Sequence, residues 1–210
     1  MARPSLANFR SVPALLAFGL TAVLGLTLDL WSKQVAMAHL APYEPMYTQD
    51  AATGRHRINV PDDKAPVSVL VVPGWLHFQG MLNEGAVFGI GQGQRWAFVV
   101  ISIAALAFVL YLFASSSNHY FYQFILGLIL GGILGNMYDR VTFGFVRDFL
   151  YIFPGKRWPN TAHEVFPWIF NVADSLLCVG VALIFLYILK GSPATRDARE
   201  EPAAKAAEPA

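Results

Sequence analysis

Four apolar runs, at residues 13–30, 96–114, 120–138 and 168–189, each approach the ~20 residues that cross a bilayer core as helix. A chain of 210 residues built this way has little room for any other architecture. The composition agrees, since 55% of residues are hydrophobic and only 14% charged. The expected fold is an all-α integral membrane protein in a single domain, residues 1–190, with an extramembrane region at 41–95. A tail at 191–210, rich in Ala, Pro and charges, has no apolar pattern to pack and is expected to be disordered.

Formal net charge is +1 and no Lys/Arg block suits a phosphate backbone, which argues against nucleic acid as a partner and for membrane lipid. The lone Cys178 excludes an internal disulfide and a Cys-rich metal site; it reads as a small buried apolar residue. Arg3 and Arg10 before the first run, with Ala36-Met37-Ala38 after it, resemble a cleavable signal. The run is long for a signal, however, and cleavage would discard the polar residues of Asp29-Leu30-Trp31-Ser32-Lys33.

Between the first two runs the texture changes twice. Residues 41–64 are polar, carry Pro42, Pro45, Gly54 and Pro61, and read as an irregular loop. The β-branched run 67–72, then Pro73-Gly74 and Trp75-Leu76-His77-Phe78, reads as a short sheet or hairpin at the membrane surface. Only residues 115–119 separate the second run from the third, which forces an antiparallel helical hairpin. Sidedness follows: Asp29 and Lys33, the loop 83–89, Asn136 and Asp139, and Asn171 and Asp174 all converge on one membrane face.

Ionisable groups inside apolar helices cost roughly 2.5–3.5 kcal/mol on insertion scales and mark function. Asp139 ends the third run, and Asp174 lies within the fourth, roughly 9 Å along it counting from Trp168. Each follows an Asn by three residues, Asn136 and Asn171, so each helix would present an amide and a carboxylate on one face. Gly127, Gly131 and Gly135 form a small-residue stripe that would let a neighbouring helix approach and bring the two acids together. Two carboxylates in one site hold a single proton near neutrality, so one activates water while the other polarises a carbonyl. Either acid alone could instead be an anchor, Asp139 pairing with Arg140 or Lys33. A transporter or scaffold using both acids for a proton or cation is the alternative from another class. Zinc chemistry fits poorly, because the position four after His163 is Pro167. No Ser sits in a nucleophile elbow, and the Gly-rich 89–93 lacks a phosphate-binding context.

The motifs resemble the lipoprotein signal peptidase family, also known as signal peptidase II, in order from Asp29 to Gly180. Asp29-Leu30-Trp31-Ser32-Lys33 is similar to its first motif and Asn83-Glu84-Gly85-Ala86-Val87-Phe88 to its second. A Gly-Gly-x-x-Gly-Asn-x-x-Asp-Arg-x-x-x-Gly-x-Val-x-Asp-Phe pattern from Gly131 to Phe149 resembles the third, and Phe170-Asn171-Val172-Ala173-Asp174 the last. The resemblance implies Asp139 and Asp174 as catalytic dyad, with Asn136, Arg140, Asn171 and Ala173 shaping the site. Asp29, Lys33, Asn83 and Gly85 would support structure or substrate. It implies four transmembrane helices with a small β-cradle and an interfacial segment, and no metal or organic cofactor. The implied substrate is a prolipoprotein, cleaved before a diacylglyceryl-modified Cys, and globomycin-type cyclic peptides are the implied inhibitors. The implied location is the prokaryotic cell (inner) membrane with the active site outside. Lys33, Arg55, Arg57, Lys64, Arg95, Arg140, Arg147, Lys156 and Arg157 nonetheless crowd the active-site side, against the positive-inside rule. The 41–66 stretch and the tail exceed the family pattern.

Overall fold

A computed structural model describes residue 9 and residues 11–61, 63–64, 67–85, 91–116 and 119–190. The second motif's Ala86, Val87 and Phe88, Gly89 and Ile90 of the Gly-rich segment, and the 191–210 tail lie outside the described residues. Four helices are long and apolar enough to cross a membrane: α1 (Val12–Leu40), α2 (Arg95–Ser115), α3 (Tyr120–Thr142) and α4 (Val172–Leu189). Between them lie β1 (Tyr47–Gln49), β2 (His56–Ile58), β3 (Ser68–Val72), β4 (Leu76–Asn83), β5 (Val146–Ile152) and β6 (Ile169–Phe170).

Ser11 caps α1, with a proline in its first turn, and the helix runs ten residues past the expected end at Leu30. That extension has left the apolar span and joins helix to sheet. Ala36, Met37 and Leu40 pack with Phe149, against Ile58 and Phe78. The other end of the bundle closes around Phe18, Phe113, Ile125 and Leu126, with the rings of Phe18 and Phe113 stacked at 4.3 Å. Side chains such as Leu20, Val23, Leu24, Val100, Phe185 and Leu186 stay exposed on the outer surface, as a lipid solvent requires.

The central helix is α3, which packs against the other three, whereas α2 and α4 pack on α3 rather than on each other. Glycine decides which helix comes close on which side. The stripe Gly127, Gly131, Gly135 faces α1, with Gly135 also touching Ala173 of α4: a Cβ on Gly127 would meet the Phe18 carbonyl at 2.6 Å. Contact between α3 and α4 rests on Gly132, whose Cβ would lie 2.6 Å from the Ala173 carbonyl, and on Gly180, tight against Ile129.

The expected hairpin forms as β3–β4, but in a larger, antiparallel four-stranded sheet of order β3-β4-β5-β6. Segment 41–64 holds a separate small hairpin, β1–β2, where an irregular loop was expected. Strand β5 follows α3 through Gly144, at φ +93°, and β6 leads directly into α4. The sheet is thereby threaded between the helices that carry the acids.

Candidate active site

The fourth helix starts later than its hydropathy suggests. Trp168, Ile169 and Phe170 precede it, and Asn171 is its N-cap. The Asn171 Oδ1 accepts from the Asp174 backbone N–H at 3.0 Å, and Asp174 Oδ2 accepts from the Asn171 N–H at 3.2 Å, a capping box. Asp174 therefore sits in the first turn of α4, not roughly 9 Å along it. Its remaining oxygen, Oδ1, accepts from Asn136 Nδ2 at 2.8 Å. The Asn136–Asp174 contact joins α3 to α4, as does Asn171 Nδ2 donating to Asn136 Oδ1 at 3.1 Å.

A second acid opens to the same space, and it is Asp148. In β5 successive side chains point to opposite faces, so Arg147 and Asp148 part company. Asp148 Oδ1 accepts from Asn171 Nδ2 at 2.6 Å and Oδ2 from Asn83 Nδ2 at 3.1 Å. Its carboxyl is pushed up to about 8, first by burial and then by the neighbouring Asp174 carboxylate, against which Asn171, Asn83 and Lys33 act. Asp148 and Asp174 are thus held by amide donors, with no Lys or Arg paired to either among the described residues. The raised Asp148 carboxyl keeps its proton near neutrality.

Asp139 occupies a different place. It is fully buried and does not line the cavity; both its oxygens are taken. Oδ1 accepts from Arg147 Nη2 at 2.7 Å, and Oδ2 accepts from the Arg147 backbone N–H at 3.0 Å and faces Lys33 Nζ at 3.4 Å. Lys33 Nζ also donates to Asp29 Oδ2 at 2.8 Å and to Asn136 Oδ1 at 3.1 Å. Asp29 Oδ1 in turn accepts from the Ala173 backbone N–H at 2.8 Å. Two acids and two bases thus form a closed, charge-balanced cluster behind the site, with Asp29 accepting a first-turn amide of α4. Asp139 was expected to meet Asp174; here the guanidinium of Arg147 and the ammonium of Lys33 take up its carboxylate.

The other expected residues divide between the two. Asn83, Asn136, Arg140, Asp148 and Asp174 line a cavity of about 710 Å³. Asn171 is fully buried behind it, and Ala173 is packed under Gly132 and Gly135. Arg140 is the cation among the described lining residues; its Nη2 donates to the Gly85 carbonyl at 2.8 Å and its Nε is buried without a partner among the described residues. Asp148 was missed by sequence reasoning although it stands in the quoted third motif. The available signal was a second acid nine residues after Asp139 in an apolar strand, where a carboxylate is costly. From the acids, the cavity continues between α2 and α4 along Ile101, Ala105, Ile129, Ile133, Leu177 and Cys178, an apolar groove in the gap those helices leave.

Two amide-held carboxylates at the inner end of an apolar groove supply the groups that acid–base hydrolysis at a membrane requires. The family described as signal peptidase (SPase) II matches residues 21–190. The lipoprotein signal peptidase of Halothermothrix orenii is 34% identical over 125 residues, covering 60% of this chain and 78% of that protein. That of Halalkalibacterium halodurans is 39% identical over 137 residues, covering 64% and 80%. A bacterial membrane enzyme solved by the in meso method at 2.3 Å superposes with a TM-score of 0.61 and 31% identity, covering 83% of this chain and 88% of that one. The chain belongs to the signal peptidase II family, and is a multi-pass membrane peptidase that removes signal peptides from prolipoproteins.

Proposed function

We propose that Asp148 and Asp174 are the catalytic pair, and that the substrate is a diacylglyceryl-modified prolipoprotein cleaved immediately before its lipidated Cys. The observation that carries this reading is the continuity of the cavity, which joins both carboxylates to an apolar groove of acyl-chain character between α2 and α4. A lipid seated in that groove holds the adjacent peptide bond at the acids, so binding energy far from the bond orients it for attack.

The chemistry follows from one proton on two acids. Asp174 takes a proton from water as the water oxygen attacks the scissile carbonyl carbon, and Asp148 gives its proton to the carbonyl oxygen. When the C–N bond breaks, Asp148 recovers a proton from the diol and the proton on Asp174 passes to the leaving amine. The pair ends as it began. Asn136, Asn171 and Asn83 keep both carboxyl groups aimed, and the unpartnered Arg140 Nε is a donor available to a backbone carbonyl of the substrate. Globomycin-type cyclic peptides are expected to compete for the same cavity, and the site is assigned to the outer face of the prokaryotic cell membrane.

The test compares a lipobox peptide with and without diacylglycerol on its Cys, using purified full-length protein in lipid. The lipidated form is expected to be cleaved at least about a hundredfold faster, with cleavage on the N-terminal side of the Cys and inhibition by globomycin. Equal rates on the two peptides would overturn the lipid-directed reading.

A further inference from the structure

Residues 43–60 belong to none of the four motifs, yet they reach the site. The arm is folded in its own right: Tyr47, Thr48 and Gln49 pair with Ile58, Arg57 and His56, and Asp50 Oδ1 accepts from the N–H of Ala52 and of Thr53 at the turn. It docks on the sheet where β4 has no side chain, since a Cβ on Gly80 would meet Ile58 at 2.5 Å. Tyr47 and His56 lie against the Phe145 ring, at 5.1 and 5.0 Å.

The consequential contact is with Glu84. Its side chain is only 9% exposed, a position where a carboxylate needs donors, and among the described residues its two donors both come from His56. The His56 backbone N–H donates to Glu84 Oε1 at 2.7 Å, and ring Nδ1 lies 2.6 Å from the same oxygen. Glu84 is the middle of a turn whose neighbours hold the catalytic groups. Asn83 Oδ1 accepts from the Gly85 N–H at 3.0 Å while its Nδ2 holds Asp148, and the Gly85 carbonyl holds Arg140.

We propose that the 43–60 arm is a positioning element of the active site, in which His56, through Glu84, fixes the Asn83–Gly85 turn and with it Asp148 and Arg140. The proposal rests on the assignment of Asp148 as catalytic. His56 touches no reacting atom, so its loss acts on geometry: Asp148 and Arg140 stay in place chemically but are held less firmly.

The experiment compares full-length wild type, His56→Ala and His56→Asn, the last keeping an N–H donor near the Nδ1 position. His56→Ala is expected to lose about tenfold in kcat with KM changed less than twofold, as for one charge-assisted hydrogen bond removed from the support of a catalytic group. His56→Asn is expected to recover most of that loss. Amide exchange at Gly85 should speed up in His56→Ala and return in His56→Asn, which reports on the turn without using activity. Unchanged exchange and kcat in His56→Ala, or His56→Asn behaving like His56→Ala, would overturn the positioning role. Faster exchange in a protein whose wild type cleaves no lipidated peptide would instead overturn the catalytic reading and leave the brace standing.

Discussion

Two groups of acids lie side by side in this bundle in opposite surroundings. Asp29 and Asp139 face Lys33 and Arg147 in a closed cluster, fully buried and balanced in charge. Asp148 and Asp174 face amides and a cavity. The residue types are the same, and the partners decide the role. A carboxylate locked by a guanidinium has no lone pair to spare for water, whereas one held by Asn keeps its orientation and can still exchange a proton. Asn136 ties the two groups together, accepting from Lys33 on one side and donating to Asp174 on the other.

The sharpest way to break this comparison is to neutralise each acid in turn. Asp148→Asn and Asp174→Asn are each expected to lower cleavage of lipidated peptide by roughly a thousandfold or more, the range for removing an acid or base from the reaction. Both should leave the fold intact. Asp139→Asn is expected to behave inversely: it leaves Arg147 and Lys33 short of a counter-charge and costs about 3–5 kcal/mol of stability. The molecules that remain folded should still cleave. Thermal unfolding beside single-turnover cleavage separates the outcomes; a stable and inactive Asp139→Asn would return Asp139 to the reaction.

Much of the architecture was legible in the sequence, and the reasons it stopped being legible are physical. Four spans, the tight α2–α3 turn and the convergence of the motifs on one end of the bundle all follow from hydropathy and loop length. The end of α1 was hidden because its last turns pack on a sheet rather than on lipid, and hydropathy marks lipid contact rather than helix. The start of α4 was hidden for the converse reason, since Trp168, Ile169 and Phe170 are as apolar as the helix they precede. Asp139 and Asp148 could not be told apart locally. What distinguishes them is Arg147 turning to one face of β5 and Asn83 reaching across from β4, contacts that arise only when the sheet forms between α3 and α4.

A smaller perturbation probes how closely the two groups depend on the α3–α4 distance. In Gly132→Ala the new methyl would meet the Ala173 carbonyl, which cannot yield as a flexible side chain can, so α4 must move away from α3. Overpacking of this kind costs about 1–3 kcal/mol, and the movement also stretches the Asn136–Asp174 bond. Loss of kcat together with stability is the expected result. A Gly127→Ala change, which presses α1 instead, should cost stability with a smaller loss of kcat per folded molecule, because α1 carries none of the cavity-lining acids. Equal kcat losses per folded molecule in the two variants would show that the closed cluster and the open pair are not mechanically separate.

The open pair should also carry a signature in pH that the closed cluster lacks. Burial and the Asp174 charge hold Asp148 up to about 8, and the active form needs its proton, so cleavage should fall about tenfold per unit as pH rises above that value. Stability follows the same proton. Between an ordinary Asp value near 4 and about 8, the unfolded chain has released a proton that the native protein keeps. Unfolding therefore releases a proton in this window, and the stability associated with Asp148 declines as pH rises through it, levelling off above about 8. Asp148→Asn cannot release that proton, so its melting temperature should fall less than that of wild type between pH 5 and pH 8. A wild type that melts in parallel with Asp148→Asn across that range would mean that Asp148 enters the unfolded state with the protonation it has in the fold. The single-proton pair would then have to be abandoned, even though the geometry around both carboxyl groups would stand.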